Sequence, residues 1–110
     1  MVDREPPPAL STNKEGDPMR MVISYDISDD RRRNKIARLL EGYGYRVQYS
    51  VFECDVDARQ FLKLQREMRR LVRPEQLESV RFYPLVAESA ERVTVVGKDM
   101  ARLLRLVEIV

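Results

Sequence analysis

MVISYDISDDRRR, residues Met21 to Arg33, is the stretch that organises this chain. It begins as an apolar strand, reaches Asp26 where the apolar run gives way to turn residues, and enters a helix start that carries three arginines. The end of a strand presents a side chain at a fixed position on a rigid element, so Asp26 is the best single candidate for chemistry. Guanidinium groups match phosphate oxygens in forked geometry. One carboxylate beside these arginines suggests metal-assisted chemistry on nucleic acid.

Length and charge set limits on this interpretation. With 110 residues, of which 44% are hydrophobic and 35% charged, the chain has the size of one domain with a modest core. The formal net charge is +2, but residues 1–18 carry −2, so residues 19–110 carry +4. An excess of this size does not prove a polyanionic partner, and the placement of the charges has to decide.

Two absences narrow the chemistry. The sequence has no histidine, which excludes histidine-based acid–base pairs, Ser-His and Cys-His nucleophiles, and most zinc or copper sites. A metal would therefore be a hard ion with oxygen ligands. Cys54 is the only cysteine, and we expect a buried thiol without a disulfide. No apolar run reaches the roughly 18 to 20 residues of a membrane span, and no signal peptide is evident, so we expect a cytoplasmic protein.

The first half of the chain predicts a tail, a strand and a helix. Residues 1–18 are rich in proline and charge, which is typical of a flexible tail. A strand follows at about 20–27, and the polar residues at 28–30 offer the cap of a helix that ends near Gly42. Its predicted buried face carries Ile36, Leu39, Leu40 and Tyr43. Another face carries a basic stripe, whose residues lie within about 60° of each other: Arg31, Lys35 and Arg38. This stripe is either a solvated surface or a phosphate-binding surface.

The second half predicts more strands and a second helix. Residues 45–56 are rich in β-branched and aromatic residues, and their length predicts two short strands or one kinked strand. A helix follows from a capping box at Asp57 to the stop at Arg73-Pro74. We interpret its basic residues as a solvated face: Lys63, Arg66, Arg69 and Arg70. Further strands are predicted at 79–85, where Pro84 indicates that the far end is an edge or leaves the sheet, and at 92–97.

The element order is β-α-β-β-α-β with an additional C-terminal strand. This order predicts an α+β, ferredoxin-like domain over residues 19–97, with an antiparallel sheet and both helices on one face. Residues 98–110 fit a helix or a strand, and their apolar surface predicts contact with a second copy of the chain or another partner.

Two motif blocks carry a resemblance to a known family. VISYDISDDRRRNKI at residues 22–36, followed by YGYRVQYSVFEC at residues 43–54, resembles the small, second universal protein of the CRISPR adaptation module. The likeness covers about residues 19–97 and includes SVRFYPL at residues 79–85 as the later family strand. It implies a metal-dependent endonuclease, often an endoribonuclease, that is a homodimer with two facing aspartates sharing one Mg²⁺. One carboxylate alone binds Mg²⁺ weakly. A site shared by two chains would supply two carboxylates to the ion.

The resemblance also implies which residues form the site. Asp26 is the metal ligand, and the catalytic positions are Tyr25, Asp26, Arg33, Lys35, Arg46 and Phe52. With the basic stripe, the predicted nucleic-acid contacts are Arg31, Arg33, Lys35, Arg38 and Arg46. Some relatives carry arginine where this chain has Lys35, so the cation is kept but bidentate phosphate binding is not. Asp29 and Asp30 could act as helix caps or as further metal ligands, and we favour the role as helix caps. We assign Arg32 no role beyond solvation.

Three functions fit these observations. The first is a Mg²⁺-dependent endonuclease that hydrolyses phosphodiester bonds of RNA or DNA. The second, which the resemblance also implies, is a non-catalytic dimeric scaffold that bridges the CRISPR integrase and binds duplex DNA. The third is a general ferredoxin-like RNA-binding module, against which stands the lack of an RNP-like aromatic motif. Tyr25 and Phe52 would orient or stack a nucleotide in the first case, although aromatic residues in strands usually belong to the core.

Overall fold

The computed structural model describes residues 16–99. In chain order, its elements are β1 (Met19–Asp26), α1 (Asp30–Glu41), β2 (Gly44–Gln48), β3 (Val51–Val56), α2 (Ala58–Leu71), a 3₁₀ helix (Pro74–Gln76), β4 (Ser79–Leu85) and α3 (Ala87–Glu91). The predicted flexible tail at 1–18 lies outside the described residues except for 16–18, and the ambiguous segment at 98–110 lies outside them except for 98 and 99. Both interpretations stay predictions.

β1 lies inside a four-stranded antiparallel sheet with the strand order β2-β3-β1-β4. It pairs with β3 along residues 19–24 and with β4 along residues 20–26, where Asp26 lies opposite Ser79. Among the described strands β4 lies at an edge, which is the first of the two outcomes that Pro84 predicts, because proline cannot donate to a neighbouring strand. The α+β, ferredoxin-like prediction is confirmed for the core arrangement of four strands and two long helices.

The core lies between the sheet and helices α1 and α2. Alternate strand residues point into it, which is the period of two that a half-covered sheet requires. Its fully or almost fully buried members are Met21, Ile23, Tyr25, Phe52, Cys54 and Val56 from the sheet and Ile36, Ala37, Leu40, Leu64 and Met68 from the helices, with Ile27 after β1. Burying each large apolar side chain contributes about 1.5–3 kcal/mol. Both long helices therefore cover one face of the sheet, as predicted.

Cys54 belongs to this core as expected. It is a free cysteine, 1% exposed, and its thiol lies 3.9 Å from the Leu40 carbonyl oxygen. Burial raises the pKa of the Cys54 thiol to about 12. The thiol is therefore protonated at neutral pH and acts as a small apolar group.

The break predicted within residues 45–56 is confirmed. A turn at Tyr49 and Ser50 separates β2 from β3, and the pairing register shifts between Arg46 and Gln48. At the start of β2, a Cβ on Gly44 would lie 2.6 Å from the Cα of Cys54, so only glycine allows β2 to approach β3 this closely.

Both long helices begin with the predicted side-chain caps. Asp29 caps α1 by accepting the backbone N–H of Arg32 at 3.0 Å. Asp57 and Gln60 form a complete capping box at the start of α2, which ends at Leu71, just before Arg73-Pro74. These contacts satisfy backbone donors that a helix start otherwise leaves without partners.

The strand predicted at residues 92–97 is wrong. The described chain turns into the short helix α3 after Val86, and residues 92–99 contain no strand. The valines in this segment favour a strand locally, but a strand forms only where another backbone pairs with it. Val96 is 97% exposed, and Val93 and Val95 are about half exposed.

Candidate functional site

Asp26 is the last residue of β1, and its side chain is exposed. Because neighbouring strand residues point to opposite faces and Tyr25 points into the core, Asp26 lies on the sheet face that α1 and α2 leave uncovered. Across the described part of the chain, its carboxylate has no hydrogen bond or ion pair. The backbone around it is nevertheless held in the sheet by pairing with Ser79. The sheet thus fixes the backbone from which the side chain projects, and within residues 16–99 the carboxylate is free to bind.

Tyr25 fixes the end of β1 from the core side. It is 4% exposed, its backbone N–H donates to the Ser50 carbonyl at 3.0 Å, and its hydroxyl lies 3.5 Å from the Tyr49 carbonyl oxygen. Burial raises the pKa of the Tyr25 phenol, and the positive charges of Arg46 and Arg33 partly oppose that rise. Tyr25 is therefore a protonated core residue that two of the predicted phosphate-binding arginines flank.

Phe52 and Arg46 form one stacked unit beside Tyr25. The Arg46 guanidinium carbon lies 5.5 Å from the centre of the Phe52 ring, and the Phe52 and Tyr25 ring centres are 6.3 Å apart. Phe52 is 0% exposed, so in this conformation it has no free face on which a nucleotide could stack. The ring instead holds the exposed Arg46 side chain by a cation–π contact.

Arg33 lies against the turn that follows Asp26. One guanidinium nitrogen donates to the Ile27 carbonyl at 2.9 Å, another pairs with the Asp30 carboxylate, and the guanidinium carbon lies 5.8 Å from the Tyr49 ring centre. Arg33 therefore contacts the backbone of the residue that follows Asp26, but part of its hydrogen-bonding capacity is used within the protein.

Lys35 lies apart from this group. Residues two apart in a helix project about 160° from each other, so Lys35 points away from the side of α1 on which Arg33 meets the turn. It is exposed and shares the outer face of α1 with Arg31 and Arg38, which are also exposed. Within residues 16–99, none of these three cations forms an ion pair. On the core side of the sheet, the structure groups Tyr25, Arg46 and Phe52, and it places Arg33 against the turn after β1. Asp26 projects from the opposite, uncovered face of the sheet, and Lys35 projects from the outer face of α1.

The prediction that Arg32 is only solvated is wrong. Arg32 forms a bidentate ion pair with Glu78, in which one nitrogen donates to Glu78 Oε2 at 2.8 Å and the other contacts Oε1. It also donates to the Leu71 carbonyl at 2.9 Å. Sequence reasoning missed this pair because the partners are 46 residues apart. The available signal is that Arg32 lies one turn before Ile36, on the same face of α1 as the predicted buried residues.

One buried carboxylate, that of Glu78, is surrounded by hydrogen-bond donors from three residues. We call this group the Glu78 cluster, and it consists of Ser28, Arg32, Arg73 and Glu78. The Glu78 side chain is 1% exposed. It accepts the Ser28 hydroxyl at 2.6 Å, the Ser28 backbone N–H at 3.1 Å and the Arg73 backbone N–H at 3.0 Å. These donors, with the Arg32 guanidinium first among them, hold the pKa of the Glu78 carboxyl well below its usual range. The cluster is therefore fully ionised and paired at neutral pH.

The other carboxylates near Asp26 are already used. Asp29 caps α1, and the Arg32 backbone N–H that it accepts lowers the pKa of its carboxyl. Asp30 pairs with Arg33. The described residues contain no group of three or more aspartate, glutamate, cysteine or histidine side chains that could hold a metal ion together. One chain thus provides one free carboxylate here, which matches the preference of Mg²⁺ for oxygen ligands but supplies only part of a site.

Fold and site together define a class: ferredoxin-like α+β proteins with an exposed aspartate at the end of the first strand and an arginine against the turn that follows it. The sequence profile of the family described as CRISPR associated protein Cas2 matches residues 19–93. The chain belongs to this family, which confirms the resemblance found in the two motif blocks.

Known relatives extend this match. The chain is 52% identical over 77 residues to the CRISPR-associated endoribonuclease Cas2 3 of Synechocystis sp. (strain ATCC 27184 / PCC 6803 / Kazusa), covering 70% of this chain and 83% of that protein. It is similar to the crystal structure of Streptococcus pyogenes Cas2 with a TM-score of 0.64 and 32% identity, over 72% of this chain and all of the other. A chain of a partial Cas6-RT-Cas1–Cas2 complex matches with a TM-score of 0.61 and 28% identity, over 74% and 94% of the two chains.

Among the described helices, none combines the length and the apolar character that crossing a membrane requires.

Proposed function

We propose that this chain is a CRISPR adaptation protein and a Mg²⁺-dependent endonuclease, whose metal site forms between the Asp26 side chains of two copies in a homodimer. The observation that carries the proposal is the free Asp26 carboxylate on the open face of the sheet. The name of the Synechocystis relative, an endoribonuclease, supports the reaction type.

The open sheet face supports the homodimer. Strands β1, β3 and β4 place apolar residues on the same face as Asp26, namely Val22, Val51, Tyr83 and Leu85. Of these residues, Tyr83 is 45% exposed. Apolar surface of this kind is typical of interfaces. A second copy on this face would cover it and bring the two aspartates toward each other.

The chain's own residues would bind and orient the substrate. When bound, Mg²⁺ supplies an activated water and stabilises negative charge on the scissile phosphate. The two Asp26 carboxylates would hold the ion, which usually keeps several waters and accepts one or two carboxylates. Arg46, supported on Phe52, and Arg33, beside the turn, would hold phosphate oxygens on either side of Tyr25.

A cleavage assay tests the proposal. Purified protein is incubated with RNA, single-stranded DNA and duplex DNA, with Mg²⁺ or with a chelator. Asp26→Asn should abolish Mg²⁺-dependent cleavage. The matched control Asp55→Asn should retain it, because Asp55 pairs with Arg20 at the far end of β3. Equal cleavage by the Asp26→Asn variant would show that the activity is a contaminant.

A second candidate is a non-catalytic scaffold that binds duplex DNA and bridges the CRISPR integrase. The basic stripe of Arg31, Lys35 and Arg38, which forms no ion pair within residues 16–99, favours it, and the likeness to a chain from a Cas1–Cas2 complex suggests the integrase. This role predicts that Asp26→Asn binds duplex DNA and co-purifies with the integrase normally. Deleting the residues after Gly97 should remove the integrase, and a complex that persists would contradict docking through that segment.

A further inference from the structure

The Glu78 cluster connects three separate parts of the chain. Ser28 belongs to the turn after β1, Arg32 to the first turns of α1, and Arg73 to the segment after α2. All three donate hydrogen bonds to the one Glu78 carboxylate. Arg32 extends the connection to the carbonyl of Leu71 at the end of α2. The turn between β1 and α1 is therefore fastened to both helices and to the start of β4.

A buried carboxylate is a costly way to pack a protein. Ionised groups lose their hydration when buried, and an apolar cluster of similar volume is often as stable or more stable. The gain from a fully paired polar cluster is a single defined geometry, because each hydrogen bond restricts direction as well as distance. The Glu78 carboxylate accepts from three residues, so the position of each donor, and above all of Ser28, is tightly defined.

The Glu78 cluster borders Asp26 on both sides. Ser28 is two residues after Asp26 in the chain. Glu78 immediately precedes Ser79, which pairs with Asp26 across β1 and β4. Asp26 thus lies between two residues that are joined directly to Glu78. Ser79, its partner in the sheet, follows Glu78 in the chain, and Ser28 donates hydrogen bonds to the Glu78 carboxylate.

We propose that Glu78, together with Arg32 and Ser28, is a positioning residue that aims the Asp26 carboxylate at the metal and sets the path of the turn that Arg33 contacts. The inference rests on the proposed function, because it assigns these residues to the same site. Glu78 itself touches neither metal nor substrate. Its effect passes through the backbone of residues 26–28.

The first test is made on the metal-free protein. Backbone hydrogen exchange is compared in the wild type, in Glu78→Gln and in the control Glu75→Gln, an exposed glutamate three residues earlier in the 3₁₀ helix. Exchange of the Ser28 amide should rise by about tenfold or more in Glu78→Gln, while Val22 in the middle of β1 stays protected. Unchanged exchange at Ser28 would overturn the proposal.

The second test separates positioning from folding. In Glu78→Gln, kcat should fall by about tenfold or more and the Mg²⁺ concentration for half-maximal cleavage should rise, because small displacements of a reacting group cost much of the rate. KM for the nucleic acid should change less than kcat, since only Arg33 depends on this turn and Arg46 is supported separately on Phe52. A variant that loosens Ser28 but keeps the wild-type kcat and Mg²⁺ requirement would overturn positioning while the proposed function stands.

A gentler pair of variants covers the case in which Glu78→Gln does not fold. Ser28→Ala removes only the hydroxyl that donates to Glu78, and Ser28→Thr keeps a hydroxyl at the same position. Ser28→Ala should lower kcat and raise the Mg²⁺ requirement, and Ser28→Thr should restore both. Equal loss in the two variants would contradict the positioning role. A wild-type protein without Mg²⁺-dependent cleavage would instead remove the proposed function, and the positioning role with it.

Discussion

Glu78 and Asp26 are two carboxylates at the same end of the sheet, and their surroundings are opposite. Glu78 is buried and accepts hydrogen bonds from Ser28, Arg32 and Arg73. Asp26 is exposed, and within the described residues nothing donates to it. The acceptor positions of the Glu78 carboxylate are thus filled by hydrogen bonds, whereas those of the Asp26 carboxylate remain available to a ligand within the described residues. Under the proposed function, Glu78 is the structural carboxylate and Asp26 is the functional one; their positions in the fold are almost the same, and their partners distinguish them.

The largest effect on stability should come from Glu78→Ala. The change leaves the Arg32 guanidinium and the N–H groups of Ser28 and Arg73 without their acceptor in a buried place, which is strongly destabilising. Asp26→Ala removes no contact within residues 16–99, so its free energy of unfolding should stay within about 0.5 kcal/mol of the wild type. Urea unfolding of both variants measures the difference. Equal midpoints would contradict the distinction between the two carboxylates.

Low pH should reduce the stability of the fold through protonation of Glu78. Its carboxyl has a pKa in the folded state below the ordinary value of 4.5, so the folded form favours the ionised group. The resulting stability is fully present above about pH 4.5 and is lost as the pH falls toward the folded pKa. Thermal unfolding between pH 7 and pH 3 should therefore show a steeper loss in the wild type than in Glu78→Gln. Parallel curves would show that other groups dominate acid unfolding.

Arg46→Ala should have a moderate effect, and mainly on binding. The cation–π contact with Phe52 contributes about 0.5–1 kcal/mol at an exposed site, so the fold should survive. If Arg46 holds a phosphate, nucleic-acid affinity should fall and the slope of log K against log salt should decrease by about one. Arg46→Lys is the matched control that keeps the charge. An unchanged salt slope in Arg46→Ala would remove Arg46 from the binding residues.

The smallest effect on cleavage should come from Lys35→Gln. Lys35 projects from the side of α1 away from Arg33, so we expect kcat to stay within about a factor of two of the wild type. Affinity for duplex DNA should fall slightly, because one cation leaves the basic stripe. A loss of kcat as large as that of Asp26→Asn would place Lys35 in the catalytic site and contradict the separation seen in the fold.

Local patterns in the sequence predict most of the fold. The helical spacing of Ile36, Leu39 and Leu40 predicts the part of the core that α1 contributes. Caps are also local, so Asp29 and the Asp57 capping box are found at the predicted places. These features depend on residues a few positions apart, which a single sequence records directly.

Features that depend on distant partners could not be predicted. In the sequence, Arg32 is one of three consecutive arginines. Its partner Glu78 lies 46 residues later, and only the folded chain brings the two together. The segment at 92–97 has strand-forming valines, but no local signal tells whether a neighbouring backbone pairs with it. Lys35 joins the site by family resemblance, while its direction depends on how α1 packs on the sheet. The position of Asp26 was predictable because a strand end is a local feature, whereas the lack of partners around it is not.

The central claim is that Asp26 is half of a metal site that a second copy completes. The most direct measurement is a Mn²⁺ titration followed by electron paramagnetic resonance, on protein whose mass in solution is determined at the same concentration. We predict a dimer that binds one ion for two chains, and no such binding in Asp26→Asn. One ion bound to each chain, or binding by a monomer, would contradict the shared site.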